Sequence, residues 1–120
     1  MINQKIAKAL QATEELANNK SLPGAIHWKI FQLRKILREH MDFYQERDTA
    51  IRDSYREFAD ENGTLTGEKA DEFTREINDL NNMDKMIEFE RFRIPSNKYE
   101  GITASTMEQL DELINFEPEE

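Results

Sequence analysis

The sequence predicts a mainly α-helical fold built on one long central helix, with two shorter antiparallel helices, one short extended or β segment and a C-terminal helix. The strongest observation is a file of apolar residues seven positions apart, in a stretch from Gly24 to Asp60 with no further glycine and no proline. The file consists of Ile30, Leu37, Tyr44, Ile51 and Phe58. A helix of that length would be about 55 Å long. Because the core of one small domain cannot cover a helix of this length as a single layer, shorter helices must pack along this rod, the long central helix.

The first helix is predicted over residues 2–19, where apolar residues recur on one helical face and Thr13 is the polar exception. The apolar positions are Ile2, Ile6, Ala9 and Leu16. Ser21 is the predicted N-cap of the long helix, with Pro23 in its first turn. Because the link is short, the two helices should be antiparallel neighbours. The first helix, about 27 Å long, covers only the first half of the rod.

A third helix is predicted from about Gly67 to Asn82, after the turn signal Asn62-Gly63 and with Thr66 as its cap. Its apolar face consists of Ala70, Phe73, Ile77 and Leu80. Folding back after the turn, this helix should cover the second half of the rod. We therefore expect it to bury the distal end of the seven-residue file, Ile51 and Phe58.

Aromatic and β-branched residues predict an extended segment from Met86 to Pro95. Its backbone N–H and C=O groups need partners. Residues 64–66 or 1–4 could supply them within the chain. Otherwise the segment could add to a sheet in a second copy or in a partner. In that case the partner-binding side chains would be Ile87, Phe89, Phe92 and Ile94.

The last helix is predicted to begin at a Thr103 cap. Its apolar residues are Met107, Leu110, Leu113 and Ile114. We expect residues 1–116 to form a single helical domain and residues 117–120 to be a frayed acidic tail.

The formal charge of −9 is unevenly distributed along the 120 residues. Residues 1–60 hold ten Lys/Arg against nine Asp/Glu, whereas residues 61–120 hold six against sixteen. Such a C-terminal half repels nucleic acid and anionic membranes, so a basic protein is the expected partner there. Glu72, Glu76 and Asp79 are the candidate docking residues. The simpler interpretation is that the acid only keeps the protein soluble.

One basic patch with aromatic residues occurs in the first half of the chain. It comprises His27, Trp28, Lys29, Phe31, Arg34, Lys35 and Arg38. This composition can bind nucleic acid. We instead expect Trp28 to pack against the first helix, and Arg34 and Arg38 to pair with carboxylates of the acidic half, within the chain or between subunits. Nucleic acid is therefore not the expected partner.

No catalytic, cofactor or metal site is predicted. The chain has no cysteine, and neither His27 nor His40 follows an acidic residue by three positions, as di-metal bundles require. There is no Gly-x-Ser-x-Gly nucleophile elbow. We also expect no secretory leader, because an amphipathic pattern follows Met1, and no membrane span.

The order of these features resembles that of small helical proteins encoded by tailed phages and prophages. The matching features are Leu22-Pro23, a long helix with Leu33, Leu37, Tyr44, Arg47 and Ile51, the Asn62-Gly63 turn, a helix with Phe73, Ile77 and Leu80, the extended Ile87-x-Phe89, and the Ile102-Thr103 to Leu110-x-x-Leu113-Ile114 helix. The resemblance implies a non-enzymatic viral protein in the host cytoplasm or the virion. One possibility is a virion or assembly component, for which a homo-oligomer or larger assembly is expected. The alternative is an acidic early protein that inhibits a host enzyme or defence protein.

Overall fold

The computed structural model describes residues 1–117, which form an elongated molecule of 56 × 23 × 22 Å. The helices are α1 (Asn3–Ala17), α2 (Gly24–Tyr55), α3 (Gly67–Asn81) and α4 (Ala104–Leu110). The strands are β1 (Phe92–Ile94) and β2 (Ile114–Phe116). Short 3-10 helices occupy Arg56–Phe58 and Ser96–Lys98. The predicted fold class is confirmed, with α2 as the long central helix.

The main core lies where α1, the first half of α2 and the C-terminal elements meet. Its members are Ile6, Ala9, Leu16, Leu22, Ile30, Leu33, Leu37, Ile94, Leu110, Leu113 and Ile114. The stripe predicted for the first helix is confirmed at Ile6, Ala9 and Leu16. Thr13 is fully buried in the same stripe, and its hydroxyl donates a 2.6 Å hydrogen bond to the Leu10 carbonyl oxygen. This bond satisfies the hydroxyl without an outside partner.

The long helix begins at Gly24, with Pro23 in the N-cap position. The prediction that Ser21 caps it is wrong. Pro23 has extended backbone angles, and its carbonyl oxygen accepts hydrogen bonds from the N–H groups of Ile26 and His27. The helical conformation therefore starts only after the proline, which cannot itself donate a backbone hydrogen bond.

The third helix runs antiparallel to α2, as predicted. Near the distal end of α2, the Tyr55 and Phe73 rings meet edge to face with centroids 5.5 Å apart. Further back, the Tyr44 hydroxyl donates a hydrogen bond to the Asn81 side-chain oxygen. Thr66 occupies the N-cap position of α3, but its side chain makes no capping hydrogen bond. These contacts place α3 on the second half of α2, after the half covered by α1.

The expected burial of Phe58 is wrong, whereas that of Ile51 is confirmed. Ile51 is buried, but Phe58 is 46% exposed. The α-helix ends at Tyr55, and Phe58 closes the 3-10 turn that follows. This change of helical geometry takes Phe58 out of the seven-residue register of α2. The Lys69 ammonium group lies 4.4 Å from the centre of its ring.

The two strands pair in parallel, with Phe92 opposite Ile114 and Ile94 opposite Phe116. The connection between them carries α4, as parallel pairing requires a crossover. Thr103 caps α4 as predicted, accepting a hydrogen bond from the Thr106 N–H. The last helix is shorter than predicted, because Ile114 belongs to β2.

The C-terminal strand pairing extends beyond Phe116. The Glu117 N–H donates a 3.1 Å hydrogen bond to the Ile94 carbonyl oxygen, and its carboxylate lies 2.5 Å from Arg93 Nε. The frayed tail expected over residues 117–120 stays a prediction, and its first residue, Glu117, is in contact with β1. The rest of the predicted tail, residues 118–120, lies outside the described residues.

Candidate interaction surfaces

The extended segment from Met86 to Ile94 contributes to the protein's own core. Ile94 is fully buried, and Ile87, Phe89 and Phe92 are partly buried against the core cluster. The Phe89 and Phe92 rings meet edge to face with centroids 6.0 Å apart. The hypothesis that these four side chains fill pockets of a partner stays a prediction, and it would require Ile94, which has no accessible surface, to leave the core.

The backbone partners of β1, residues 92–94 of this segment, lie within the chain. β1 pairs with β2, so residues 64–66 are not its partner. Residues 1–3 pair with the chain just before the segment: Lys85 N–H donates to the Met1 carbonyl oxygen at 2.8 Å, and Asn3 N–H donates to that of Met83 at 3.2 Å. Sequence reasoning missed β2 because Ile114 also fits the apolar face of a helix. The β-branched and aromatic residues of Ile114-Asn115-Phe116 were the available strand signal.

The three acidic residues proposed for docking, Glu72, Glu76 and Asp79, all lie on α3 but differ in their surroundings. Glu72 is half-buried, and its carboxylate lies 3.2 Å from Lys69 Nζ. Glu76 is exposed and is hydrogen-bonded to Tyr55. Asp79 is exposed, with no ion pair among residues 1–117. Of the three, Asp79 alone presents a carboxylate without a side-chain partner in the described chain.

The Tyr55 hydroxyl at the distal end of α2 has a perturbed acidity. Its hydrogen bond to the Glu76 carboxylate raises the pKa of Tyr55 to about 12, and burial and the negative charges of Glu76 and Glu72 act in the same direction. Both carboxylates favour the protonated hydroxyl. This contact anchors α3 to α2 and leaves Glu76 less free for an outside partner.

An open groove of about 490 Å³ lies beside this contact, between the end of α2 and α3. Its walls include Arg52, Tyr55, Arg56 and Phe73. Arg52 lies 2.9 Å from the Asp48 carboxylate, and Arg56 lies 2.7 Å from that of Asp53. Both arginines are therefore already paired with carboxylates near the end of α2.

Trp28 and Phe31 form an exposed aromatic pair on α2. Their rings stack with centroids 5.5 Å apart and an interplanar angle of 19°. Trp28 is 59% exposed and Phe31 is 56% exposed. The prediction that Trp28 packs against the first helix is wrong. By helical periodicity, Trp28 projects from the side of α2 opposite Leu37, which faces the core.

The basic residues around this pair also lack the expected partners. Within residues 1–117, no carboxylate lies within ion-pair distance of Lys29, Arg34, Lys35 or Arg38. The predicted pairing of Arg34 and Arg38 with acidic residues of the same chain is therefore wrong for the described residues. Arg34 Nε is buried without a hydrogen-bond partner there.

Charge on the solvent side of α2 changes sign along the helix. We define the outer face as the following exposed residues between Trp28 and Ala50, which helical periodicity places on the side of α2 opposite Leu37: Trp28, Phe31, Lys35, Arg38, Glu39, Asp42, Glu46, Thr49 and Ala50. The aromatic pair and two cations occupy its first half. Three carboxylates and then two small residues follow. The periodicity of apolar residues identifies the side of a helix that faces the core. It gives no information on the opposite side, so the outer face was not predicted from the sequence.

Comparison with known proteins identified no relative of this chain. No family model, curated protein or solved structure matches this chain. Across residues 1–117, no group of three metal-ligating side chains is placed to hold a metal ion. None of the helices in that range combines the length and apolarity that a membrane span needs.

Proposed function

We propose that this protein is a non-enzymatic protein–protein interaction protein and works as a structural or assembly component of a phage particle. The observation that carries the interaction role is the stacked pair of Trp28 and Phe31, both more than half exposed. Aromatic residues and arginine are enriched at protein interfaces, where they supply most of the binding energy. The phage assignment rests on the order of sequence features described above.

The shape of the molecule supports a role in assembly. The outer face runs along α2, a helix of 32 residues that is about 48 Å long. The shorter helices and the strands pack on its other side. A neighbouring subunit can therefore approach the outer face without displacing any element of the fold.

Incorporation of variants into phage particles tests this proposal. We expect the double substitution Trp28→Ala and Phe31→Ala to leave the helical circular dichroism unchanged and to abolish incorporation. Met86→Ala is the matched control, because Met86 is 81% exposed and does not belong to α2. Mass spectrometry of purified particles measures the amount of each chain. Equal incorporation of the double variant and the control, or absence of the wild-type chain from particles and their precursors, would contradict the proposal.

A second candidate function, inhibition of a host enzyme or defence protein, is favoured by the acidic C-terminal half. Asp79 is exposed without an ion pair in the described chain, and it lies on the same helix as Glu72 and Glu76. An inhibitor of this kind would capture a basic host protein one to one, with affinity that falls steeply as salt rises. Replacing Asp79 with asparagine should weaken such a complex at low salt. Affinity that is insensitive to salt would reject this candidate.

A further inference from the structure

We propose that two copies of this protein pair in antiparallel orientation along the outer face of α2. This inference rests on the proposed function and names a second copy of the chain as one partner of the surface. Two independent features of the outer face support it. One is the placement of its aromatic residues relative to its small residues, and the other is the order of its charges.

The charges on the outer face are complementary to themselves when one copy is reversed. Lys35 and Arg38 precede the carboxylates of Glu39, Asp42 and Glu46 along the helix. An antiparallel neighbour centred near Glu39 brings Lys35 of each copy within about one helical turn of Asp42 in the other. The two Glu39 side chains meet at the centre, where Arg38 of each copy lies within one residue of the position opposite Glu39 of the other. A parallel neighbour would instead place cations opposite cations and carboxylates opposite carboxylates. Like-charge juxtaposition across an interface costs several kcal/mol, so it disfavours the parallel arrangement.

The same register gives the aromatic residues space. Trp28 lies eleven residues before Glu39, and Ala50 lies eleven residues after it, so reversal places them opposite each other. Thr49, beside Ala50, comes opposite Lys29, two residues before Phe31. Both small residues are exposed. Each bulky pair can therefore lie over a shallow part of the other copy's helix and bury its rings there, so that apolar contacts form at both ends of the charged centre.

The size of the surface determines the strength of the pairing. From Trp28 to Ala50 the outer face is about 33 Å long, and a helix is about 10 Å wide. This projected area is below the roughly 800 Å² per partner that a standard stable interface buries. We therefore expect a reversible dimer that depends on protein concentration and salt.

Engineered cysteines test the orientation directly, because the chain has none of its own. In the antiparallel pair, Glu39→Cys places two thiols close to the dimer axis, and they should oxidise to a disulfide-linked dimer. Thr49→Cys is the matched control on the same face. Its two thiols would be about 30 Å apart, since each lies ten residues from the centre. Efficient cross-linking of Glu39→Cys alone supports the inference. Equal cross-linking of both variants, or of neither, overturns it.

Charge reversal provides the second measurement, by sedimentation equilibrium of the full chain. Lys35→Glu together with Arg38→Glu should raise the dimer dissociation constant at least about tenfold. Adding Glu39→Lys, Asp42→Lys and Glu46→Lys to that variant exchanges all five signs on the outer face and should restore dimerisation. Failure of this restoration overturns the inference.

The wild-type chain separates this inference from the proposed function. A wild-type chain that stays monomeric at every concentration overturns the antiparallel pairing. If that monomer is nevertheless incorporated into particles through Trp28 and Phe31, the proposed function stands. If the dimer forms but the chain is absent from particles and their precursors, the phage role fails and the pairing stands.

Discussion

The side-chain Nδ2 of Asn3 donates a 2.8 Å hydrogen bond to the carbonyl oxygen of Leu80, joining the first turn of α1 to the last turn of α3. Asn3 is fully buried. The last carbonyl groups of a helix have no partner within the helix, so this bond satisfies one of them. The end-to-end placement of α1 and α3 on α2 is thus fixed by a specific polar contact as well as by apolar packing.

Loss of this contact should destabilise the protein. We expect Asn3→Ala to lower the free energy of unfolding by about 0.5 to 1.5 kcal/mol, because it removes a buried hydrogen bond while the Leu80 carbonyl oxygen keeps the Met83 N–H, 3.3 Å away, as a donor. Urea denaturation measures the change, and Gln4→Ala, at an exposed neighbouring position, is the control. An unchanged unfolding midpoint for Asn3→Ala would show that the contact contributes nothing.

Asn3→Asp should be more destabilising than Asn3→Ala at neutral pH. The substitution replaces a donor with a buried carboxylate facing the Leu80 carbonyl oxygen. Burial would raise the pKa of this carboxyl group above its unfolded value, so its penalty should increase as pH rises through the ordinary range of an aspartate. Urea denaturation at several pH values measures this, with Asn3→Ala as the uncharged reference. A difference between the two variants that does not vary with pH would contradict the expectation.

Leu37, in the first half of the apolar file, and Phe58, at its end, should respond differently to truncation. Leu37 is fully buried, and we expect Leu37→Ala to cost about 2 to 5 kcal/mol. Phe58→Ala should cost clearly less, because much of the ring already contacts solvent. Thermal and urea unfolding of both variants provide the comparison. Equal losses would indicate that Phe58 is buried like the rest of the file.

Tyr55 should ionise at a higher pH than an ordinary tyrosine. Tyr44→Phe and Tyr99→Phe leave Tyr55 as the single tyrosine, whose absorbance change on ionisation should have its midpoint at pH about 12. Glu76→Gln should move this midpoint down towards 10. Because the folded-state pKa is the higher one, the stability that Tyr55 contributes is present below pH 10 and is lost as pH rises through 12. A midpoint near 10 in both proteins would exclude the Glu76 contact.

Periodicity predicted the parts of the fold in which each helix has one consistent apolar side. Ile6, Leu16 and Leu37 are fully buried, and the antiparallel placement of α1 and α3 followed from helix lengths and short connections. The same reasoning failed at Phe58. The α-helix changes to a 3-10 helix for the turn that ends at Phe58, and the spacing of apolar residues in the sequence does not reveal this change.

The strand pairing could not be predicted because it depends on contacts between distant parts of the chain. Ile94 and Ile114 are both fully buried and lie in adjacent strands, but each belongs to a short apolar segment that fits more than one local structure. Tertiary pairing decides between helix and strand for such segments. The candidate interaction surface was missed for a related reason, because exposure of Trp28 depends on what α1 covers.

The uneven placement of the core along α2 has a consequence for local unfolding. Of the buried apolar residues in the described chain, Ile51 and Leu80 are the two that lie outside the main cluster, and no residue from 52 to 79 is buried. Segments with few buried contacts open at lower free energy than the rest of a protein. Amide hydrogens of residues 56–75 should therefore exchange through a partial opening that leaves α1, β1 and β2 intact. The distal end would behave as a separately cooperative unit, able to reorganise while the rest of the molecule stays folded.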